Sequence, residues 1–318
     1  MRAPAVLGID VGGTLIKLGI VQGRRVLLQK TLFTGPYRRS PRRLEEALIE
    51  AARSLTAQFP GRVVGAGVGI PGLVRYPQGV VLSCANLPGW RGVNLRARLS
   101  RRLRMPVLVD NDVHAMTLAE WNYGAGRGVK NLLCLTLGTG VGGGIVLQGS
   151  LYRSRLGPSA EIGHIPVGEE GPACSCGGKA CLERYVGNRE ILEQVRRRVR
   201  RGVPSKIPAL TGHRMDRLTH AIIDEACAKG DRLARQTWEE AGRRIGLVLV
   251  DAIHLICPDR IVIGGGIAKA GRWLFDPIRR TVRRRAMRGL GSIPILPARL
   301  GPNAGLIGAA LLGREAAG

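Results

Sequence analysis

The stretch Val6-Leu7-Gly8-Ile9-Asp10-Val11-Gly12-Gly13-Thr14, followed by Ile16–Val21 and the pair Gln22-Gly23, sets the fold of this chain. An apolar run, a glycine loop, a second apolar run and a turn read as strand, loop, strand, turn. In a P-loop or a dinucleotide-binding unit a helix follows the glycines; here β-type alternation follows, so neither motif fits. Asp10 then stands at a strand end beside a loop whose bare amides can approach phosphate oxygens, and its carboxylate can hold magnesium, directly or through water. Read alone, the loop is equally well explained as a tight hairpin whose glycines satisfy positive φ while Asp10 caps the turn.

A second copy changes that balance. Leu132–Leu137 leads into Gly138-Thr139-Gly140-Val141-Gly142-Gly143-Gly144, then Ile145-Val146-Leu147 and a turn at Gln148-Gly149, so the two units form an internal repeat. Two such loops from related halves would grip the phosphates of a nucleotide from either side of a cleft.

Between the loops, Ser40-Pro41 supplies an N-cap and a first-turn proline, and Leu44, Leu48, Ala51 and Leu55 recur at helical spacing. A strand is expected at Val63–Ile70, a turn at Pro71-Gly72 and a short helix around Leu95–Leu103. The strand Val107-Leu108-Val109 then runs into Asp110-Asn111-Asp112. Later come a mostly helical stretch from Arg189 to Ile256 with a long helix from about Asp231, a buried strand Arg260–Ile263 entering Gly264-Gly265-Gly266, and a small-residue helix at Gly305–Leu312. Strands alternate with helices throughout, which makes the class α/β with two similar halves and a boundary near residue 113.

The acids at the end of the Val107 strand occupy the place where open α/β sheets bind ligands. A sugar hydroxyl loses its proton as it attacks a γ-phosphate, and a carboxylate there can orient it and accept that proton. The structural alternative is that Asp110 or Asp112 caps a helix beginning near Ala115. His164, Cys174, Cys176 and Cys181 offer one imidazole and three thiolates, the closed tetrahedral ligand set of structural zinc. The remaining cysteines, Cys84, Cys134, Cys227 and Cys257, lie in apolar sequence and read as core residues, while His114, His213, His220 and His254 show no partner in sequence.

The 318 residues are 45% hydrophobic and can bury a sizeable core. No signal segment and no apolar stretch of membrane-spanning length is visible, so a cytosolic location is expected. Seven cysteines are an odd number, unlike a disulfide framework. The net charge of +26 sits mainly on arginine, in runs such as Arg196–Arg201, Arg279–Arg280 and Arg283–Arg285. No nucleic-acid motif accompanies them, so they read as solvated helix faces rather than a polyanion footprint.

Taken together, Asp10-Val-Gly-Gly-Thr14, Gly69-Ile-Pro-Gly72, Asn86-Leu-Pro-Gly-Trp90, Asn111-Asp112, Leu137-Gly-Thr-Gly140, Glu161-Ile-Gly-His164, Cys174–Glu183 and Ile263-Gly-Gly-Gly266 resemble the ROK (repressor, open reading frame, kinase) proteins. The resemblance implies the two-domain actin-like ATPase (ribonuclease H-like) fold with an interdomain cleft. Residues 1–113 with a C-terminal helix at about 303–318 would form the smaller domain, and 114–302 the larger one with its zinc segment at 164–181. It implies an ATP-dependent glucokinase, with Asp112 as catalytic base and Gly72, Asn86, Asn111, Glu161, His164 and Glu183 around the sugar. Asp10, Gly12, Gly13, Thr14, Lys17, Gly138, Thr139, Gly140, Gly264, Gly265 and Gly266 would bind Mg-ATP. His164 would place one ring nitrogen on structural zinc and the other toward the sugar.

Ala180, where a glycine commonly precedes the third cysteine, and Val113-His114, where small residues usually follow the base, depart from the family pattern. N-acetylglucosamine, N-acetylmannosamine, mannose and fructose remain alternative acceptors, and inorganic polyphosphate an alternative donor to a basic surface. The family's transcriptional repressors carry a DNA-binding domain ahead of the first loop, and with that loop starting at Asp10 repression is not expected. A homodimer or homotetramer is implied, without membrane or nucleic-acid partners.

Overall fold

The computed structural model describes residues 3–84, 87–155, 157 and 159–318. In chain order its elements are β1 (Ala5–Val11), β2 (Leu15–Gln22), β3 (Arg25–Phe33), α1 (Pro41–Gln58), β4 (Val63–Ile70), β5 (Leu73–Arg75), β6 (Val80–Ser83), β7 (Val93–Asn94), α2 (Leu95–Leu103), β8 (Val107–Asn111) and α3 (Asp112–Tyr123). They continue as β9 (Leu132–Leu137), β10 (Val141–Leu147), β11 (Ser150–Leu151), α4 (Glu183–Val186), α5 (Asn188–Arg200), α6 (Ile207–Leu210), α7 (His220–Ala228), α8 (Arg232–Ile256), β12 (Arg260–Gly264), α9 (Arg272–Arg285), β13 (Ile295–Pro297) and α10 (Ala304–Ala316). The chain packs as two compact units, Met1–Lys130 with Gly144–Ala160 and Arg299–Gly318, and Asn131–Gly143 with Glu161–Ala298. Residue 113, where the sequence suggests a boundary, falls within the first of these. Among the described residues no helix is long and apolar enough to cross a membrane.

The first unit is built on a sheet of order β3-β2-β1-β4-β8, in which β1 runs antiparallel to β2 and parallel to β4, and β4 parallel to β8. The period-2 pattern of β1 shows why. Leu7, Ile9 and Val11 join one core with Leu44, Leu48 and Leu55 of α1, while Val6 on the other face joins Leu306 and Ala310 of α10. Helix α1 starts as its sequence predicts: the Ser40 side chain accepts the Arg43 N–H at 3.3 Å and Pro41 takes the first turn. Helix α10 approaches the sheet almost backbone to backbone. A Cβ on Gly67 of β4 would lie 1.9 Å from the Ala309 carbonyl oxygen, so glycine is the only residue that allows the approach.

The second sheet has the order β11-β10-β9-β12-β13, with β12 parallel to both β9 and β13. Leu132, Leu133, Cys134 and Leu135 are all buried, the continuous apolar run of a parallel strand covered on both faces. Helix α8 begins where Asp231 accepts the Ala234 N–H at 2.7 Å. It lies close against α9 at Gly242, where a Cβ would come within 2.8 Å of the Leu274 carbonyl oxygen.

Two sequence expectations need correction here. Strand β10 begins at Val141, so Gly142, Gly143 and Gly144 are strand residues and the second glycine loop shrinks to Gly138-Thr139-Gly140. Cys257 is exposed, not core: it ends α8 in a left-handed conformation with φ 40°, whereas Cys84, Cys134 and Cys227 are buried as expected.

Candidate active site

In the first unit three neighbouring strand ends gather the acids. Asp10 on β1 is in register with Gly69 on β4, and Gly69 with Asp110 on β8. Asp112 follows as the first residue of α3, close enough that a Cβ on Gly69 would lie 3.3 Å from its Cα. Burial pushes Asp112 up to about 7, and the Asp10 charge adds to the shift. Burial likewise raises Asp10 to about 6, against the pull of Lys17. Lys17 is in register with Asp10 on β2, and its ammonium donates to the Pro302 carbonyl.

The loop after Asp10 is pinned from below: the Gly12 N–H donates to the Leu15 carbonyl at 2.9 Å, and the Gly12 carbonyl accepts Thr34 Oγ1 at 2.7 Å. The Gly13 carbonyl accepts an Arg38 guanidinium N–H at 2.8 Å. Gly12 is required by closeness rather than by positive φ, since a Cβ there would lie 2.7 Å from the Leu15 oxygen. Gly13 is half-buried and Thr14 exposed at the loop tip.

Neither Asp110 nor Asp112 caps α3 in the expected way. Asn111 does: its Oδ1 accepts the Val113 and His114 N–H groups at 2.8 and 3.3 Å, which starts the helix at Asp112 rather than near Ala115. Asn111 Nδ2 donates to the Gly72 carbonyl at 3.0 Å, so this amide is held at both ends and Gly72 is tied to it. Asp110 is buried and binds His114 Nδ1 at 2.9 Å and Arg153 Nε at 2.7 Å. Burial alone would raise its pKa, and these two partners outweigh burial and hold it low. Asn86 lies outside the described residues.

In the second unit Gly138-Thr139-Gly140 is braced by Glu183, whose Oε2 accepts the Val141 N–H at 2.8 Å and sits where a Cβ on Gly140 would be. Gly138 has open space beside it, with nothing within 4 Å of an added Cβ. Gly265, at φ 91°, turns the chain against the end of β9, where a Cβ would come within 2.2 Å of the Leu137 carbonyl oxygen. The run Gly264-Gly265-Gly266 therefore lies beside the Gly138 loop, which the sequence did not disclose. Glu161 precedes the short turn Ile162–His164 and follows Ala160, held at φ 57°.

His164, Cys174, Cys176 and Cys181 meet with all ligand atoms within 4.8 Å of one another. His164 Nδ1 lies 3.6 Å from Cys174 Sγ, and Cys176 Sγ 3.6 Å from Cys181 Sγ. Zinc bonded tetrahedrally at about 2.3 Å to sulfur and about 2.0 Å to nitrogen sets edges of roughly 3.5–3.8 Å, so the donor set fits that ion. With Nδ1 turned into the cluster, Nε2 is the nitrogen that points away from it.

Sequence reasoning assigned nothing to His114, Arg153, Ser159, Tyr76, Glu315 or Glu120. The Arg153 guanidinium lies 3.8 Å over the Tyr76 ring, Tyr76 donates to Glu315, and His114 Nε2 lies 3.2 Å from Ser159 Oγ. One signal did exist: His114 stands at a departure from the family pattern.

Comparison with known proteins agrees along the whole chain. The ROK family profile matches residues 6–316. A glucokinase of Streptomyces coelicolor is 32% identical over 314 residues, covering 97% of this chain and 97% of that one. A ROK family glucokinase of Streptomyces griseus, solved with glucose and AMPPNP, superposes with a TM-score of 0.85 at 33% identity, covering 98% of this chain and 99% of that one. A ROK family transcriptional regulator homologous to the E. coli MLC protein superposes with a TM-score of 0.87 at 28% identity, covering 98% of this chain and 78% of the regulator. With a family match from end to end and relatives of the same length, this chain belongs to the ROK family and has its two-domain actin-like ATPase fold.

Proposed function

We propose that this protein is a sugar kinase that transfers the γ-phosphate of ATP to the 6-hydroxyl of glucose, with Asp112 as general base. The observation that carries the reading is the carboxylate of Asp112, at the ligand-binding end of the first sheet and pushed up to about 7 by burial and Asp10. A base acts best when its pKa lies near the working pH. The proton of the sugar hydroxyl passes to Asp112, the oxygen forms a bond to the γ-phosphorus, and the bond from that phosphorus to the bridging oxygen breaks. Asn111, rigid through its bonds to α3 and Gly72, keeps one N–H for a sugar hydroxyl.

The loops after β1 and β9 offer backbone donors to phosphate oxygens, and Glu183 fixes the second of them. Asp10 and Asp112, both raised by burial, are oxygen donors of the kind a hard dication takes. Magnesium held beside Asp10 would neutralise the phosphate charge. His164 Nε2, Glu161 and Glu183 are the groups assigned to the far end of the sugar ring.

Several relatives that match over nearly their whole length are glucokinases, at 32–33% identity, against 26% for a putative N-acetylmannosamine kinase of similar coverage, which supports glucose as acceptor and catalysis over regulation. A coupled assay of the purified protein against glucose, mannose, fructose, N-acetylglucosamine and N-acetylmannosamine, each with ATP and with polyphosphate, tests this. Turnover with glucose and ATP is expected; no turnover with any pair ends the kinase reading. Asp112→Asn is expected to bind glucose and to lose about 100-fold or more in kcat. Near-normal turnover would remove Asp112 as the base.

A further inference from the structure

Helix α3 begins at Asp112, and its length behind that residue is built for more than carrying it. The chain passes between the two units at Lys130/Asn131, Gly143/Gly144, Ala160/Glu161 and Ala298/Arg299. Every one of these crossings is held, on its first-unit side, by a side chain of α3. Trp121 Nε1 donates to the Val129 carbonyl at 2.9 Å. Gly144 rests on Thr117, where a Cβ would come within 2.0 Å of Oγ1. His114 Nε2 meets Ser159 Oγ at 3.2 Å. Glu120 accepts the Arg299 N–H at 3.0 Å and the Leu300 N–H at 2.8 Å.

Positions 114, 117 and 121 are spaced three and four apart and share one side of the helix. Ala115, Leu118 and Ala119, on another side, are buried in cores that include Leu312, Leu306 and Ala310 of α10. Helix stability does not ask for buried His114, Thr117 and Glu120, which are at most 4% exposed. A buried carboxylate or imidazole is costly unless its hydrogen bonds are satisfied, and apolar residues would fill the same space more cheaply. His114 Nε2 and the Glu120 carboxylate bond the crossing segments, whereas Thr117 Oγ1 donates to the Val113 carbonyl within the helix and meets its crossing by contact at Gly144.

The crossing at Ala160 is the most constrained. Ala160 has φ 57°, a conformation that a residue with a Cβ adopts reluctantly and that its surroundings must enforce. Ser159 is bound by His114, His114 by Asp110, and Asp110 by Arg153 at the other end of the same connecting segment. Both ends of the segment leading into Glu161 are thus fastened to Asp110 and His114, which bracket Asn111, Asp112 and Val113.

We infer that α3 is the common anchor of the first-unit ends of the chain crossings, and that His114 is a positioning residue that holds Ser159 against this helix and so restrains the backbone that leads into Glu161. The role assigned to Glu161 rests on the kinase reading; the anchor itself does not. Ser159→Ala removes one half-exposed hydroxyl and leaves the fold intact. Followed by hydrogen–deuterium exchange without substrate, it should speed exchange of the amides from Glu161 to His164 about tenfold and leave β1 and β4 unchanged. Ser159→Thr, which keeps the hydroxyl, should restore protection. At 161–164 His114→Leu should match Ser159→Ala, its loss of the Asp110 bond being felt separately at β8, and the double variant should be no worse there than His114→Leu alone.

In turnover assays Ser159→Ala should raise the sugar KM about tenfold with the nucleotide KM unchanged. Unchanged exchange at 161–164, exchange that rises equally across the sheet, or an additive double variant would each overturn the anchor. A wild type that phosphorylates no sugar while Ser159→Ala still loosens 161–164 would overturn the kinase reading and leave the anchor standing.

Discussion

Asp112 is the residue through which pH should act on both turnover and stability. In the proposed reaction it can accept the proton only when ionised, and burial together with Asp10 sets its midpoint at about 7. The expected rate profile is therefore flat above that value and falls about tenfold per pH unit below it, read as kcat at saturating sugar and nucleotide. A profile flat down to pH 5 would refute the assignment. Stability has the opposite sign. The folded state holds the Asp112 proton to about 7 while the unfolded chain gives it up near the ordinary carboxylate value of 3.8, so folding becomes less favourable as pH rises between them. Asp112→Asn removes that penalty and should melt about 3–6 °C higher than wild type at pH 8 but with the wild type at pH 4, by thermal unfolding at both values. Asp112 and the glycine loops were legible because each motif is contiguous: an acid, an amide and an acid at a strand end need no knowledge of the tertiary fold. His114 and Glu120 were not, because their partners Ser159 and Arg299 lie 45 and 179 residues away, and nothing local distinguishes a buried Glu from an exposed one.

Helices α1 and α8 were readable from their caps, Ser40 and Asp231, and the apolar strands β1, β4, β9 and β12 from their runs. Strand β3 was not: Arg25–Phe33 alternates half-buried with exposed residues and carries two cations, so its period-2 signal is weak. The start of α3 was misplaced by three residues because three capping residues stand in a row and only Asn111 has the geometry. Packing between α10 and the sheet gives a sharp test at this scale. Gly67→Ala would place its Cβ 1.9 Å from the Ala309 carbonyl oxygen, and neither β4, paired on both sides, nor the helix backbone can yield. Overpacking of this kind costs about 3 kcal/mol or more, a fall in melting temperature of roughly 6–12 °C. A loss under 2 °C would mean that α10 is free to shift. The zinc segment makes a second element-scale prediction. Purified protein should carry about one zinc per chain by elemental analysis, and Cys176→Ser, or removal by a strong chelator, should lower the melting temperature and expose the 164–181 segment to protease before the sheets. Protein free of zinc with unchanged protease resistance would remove zinc from the fold.

At the scale of the whole molecule the controlling quantity is charge. Lys and Arg number 49 against 23 Asp and Glu, so 49 − 23 = 26 cations remain even if every acid were paired. Part of that excess is placed where it costs least. The last turn of α5 holds Arg197, Arg198 and Arg200, and that of α9 holds Arg283, Arg284 and Arg285, at the negative ends of their helix dipoles. The remainder repels itself and lowers the stability of the compact state. Salt should act on two opposing terms. It weakens surface ion pairs such as Arg42–Glu46 and Arg280–Glu239, each worth about 0–1 kcal/mol, and it screens the repulsion among the unpaired cations over a distance of about 10 Å at 0.1 M. Unpaired cations outnumber the acids, so screening should win. The melting temperature is expected to rise by about 3–8 °C between 10 and 300 mM sodium chloride at pH 7, and further when sulfate replaces chloride at equal ionic strength. A melting temperature that falls with salt would mean that the ion pairs, rather than the arginine excess, set the electrostatic balance of the fold.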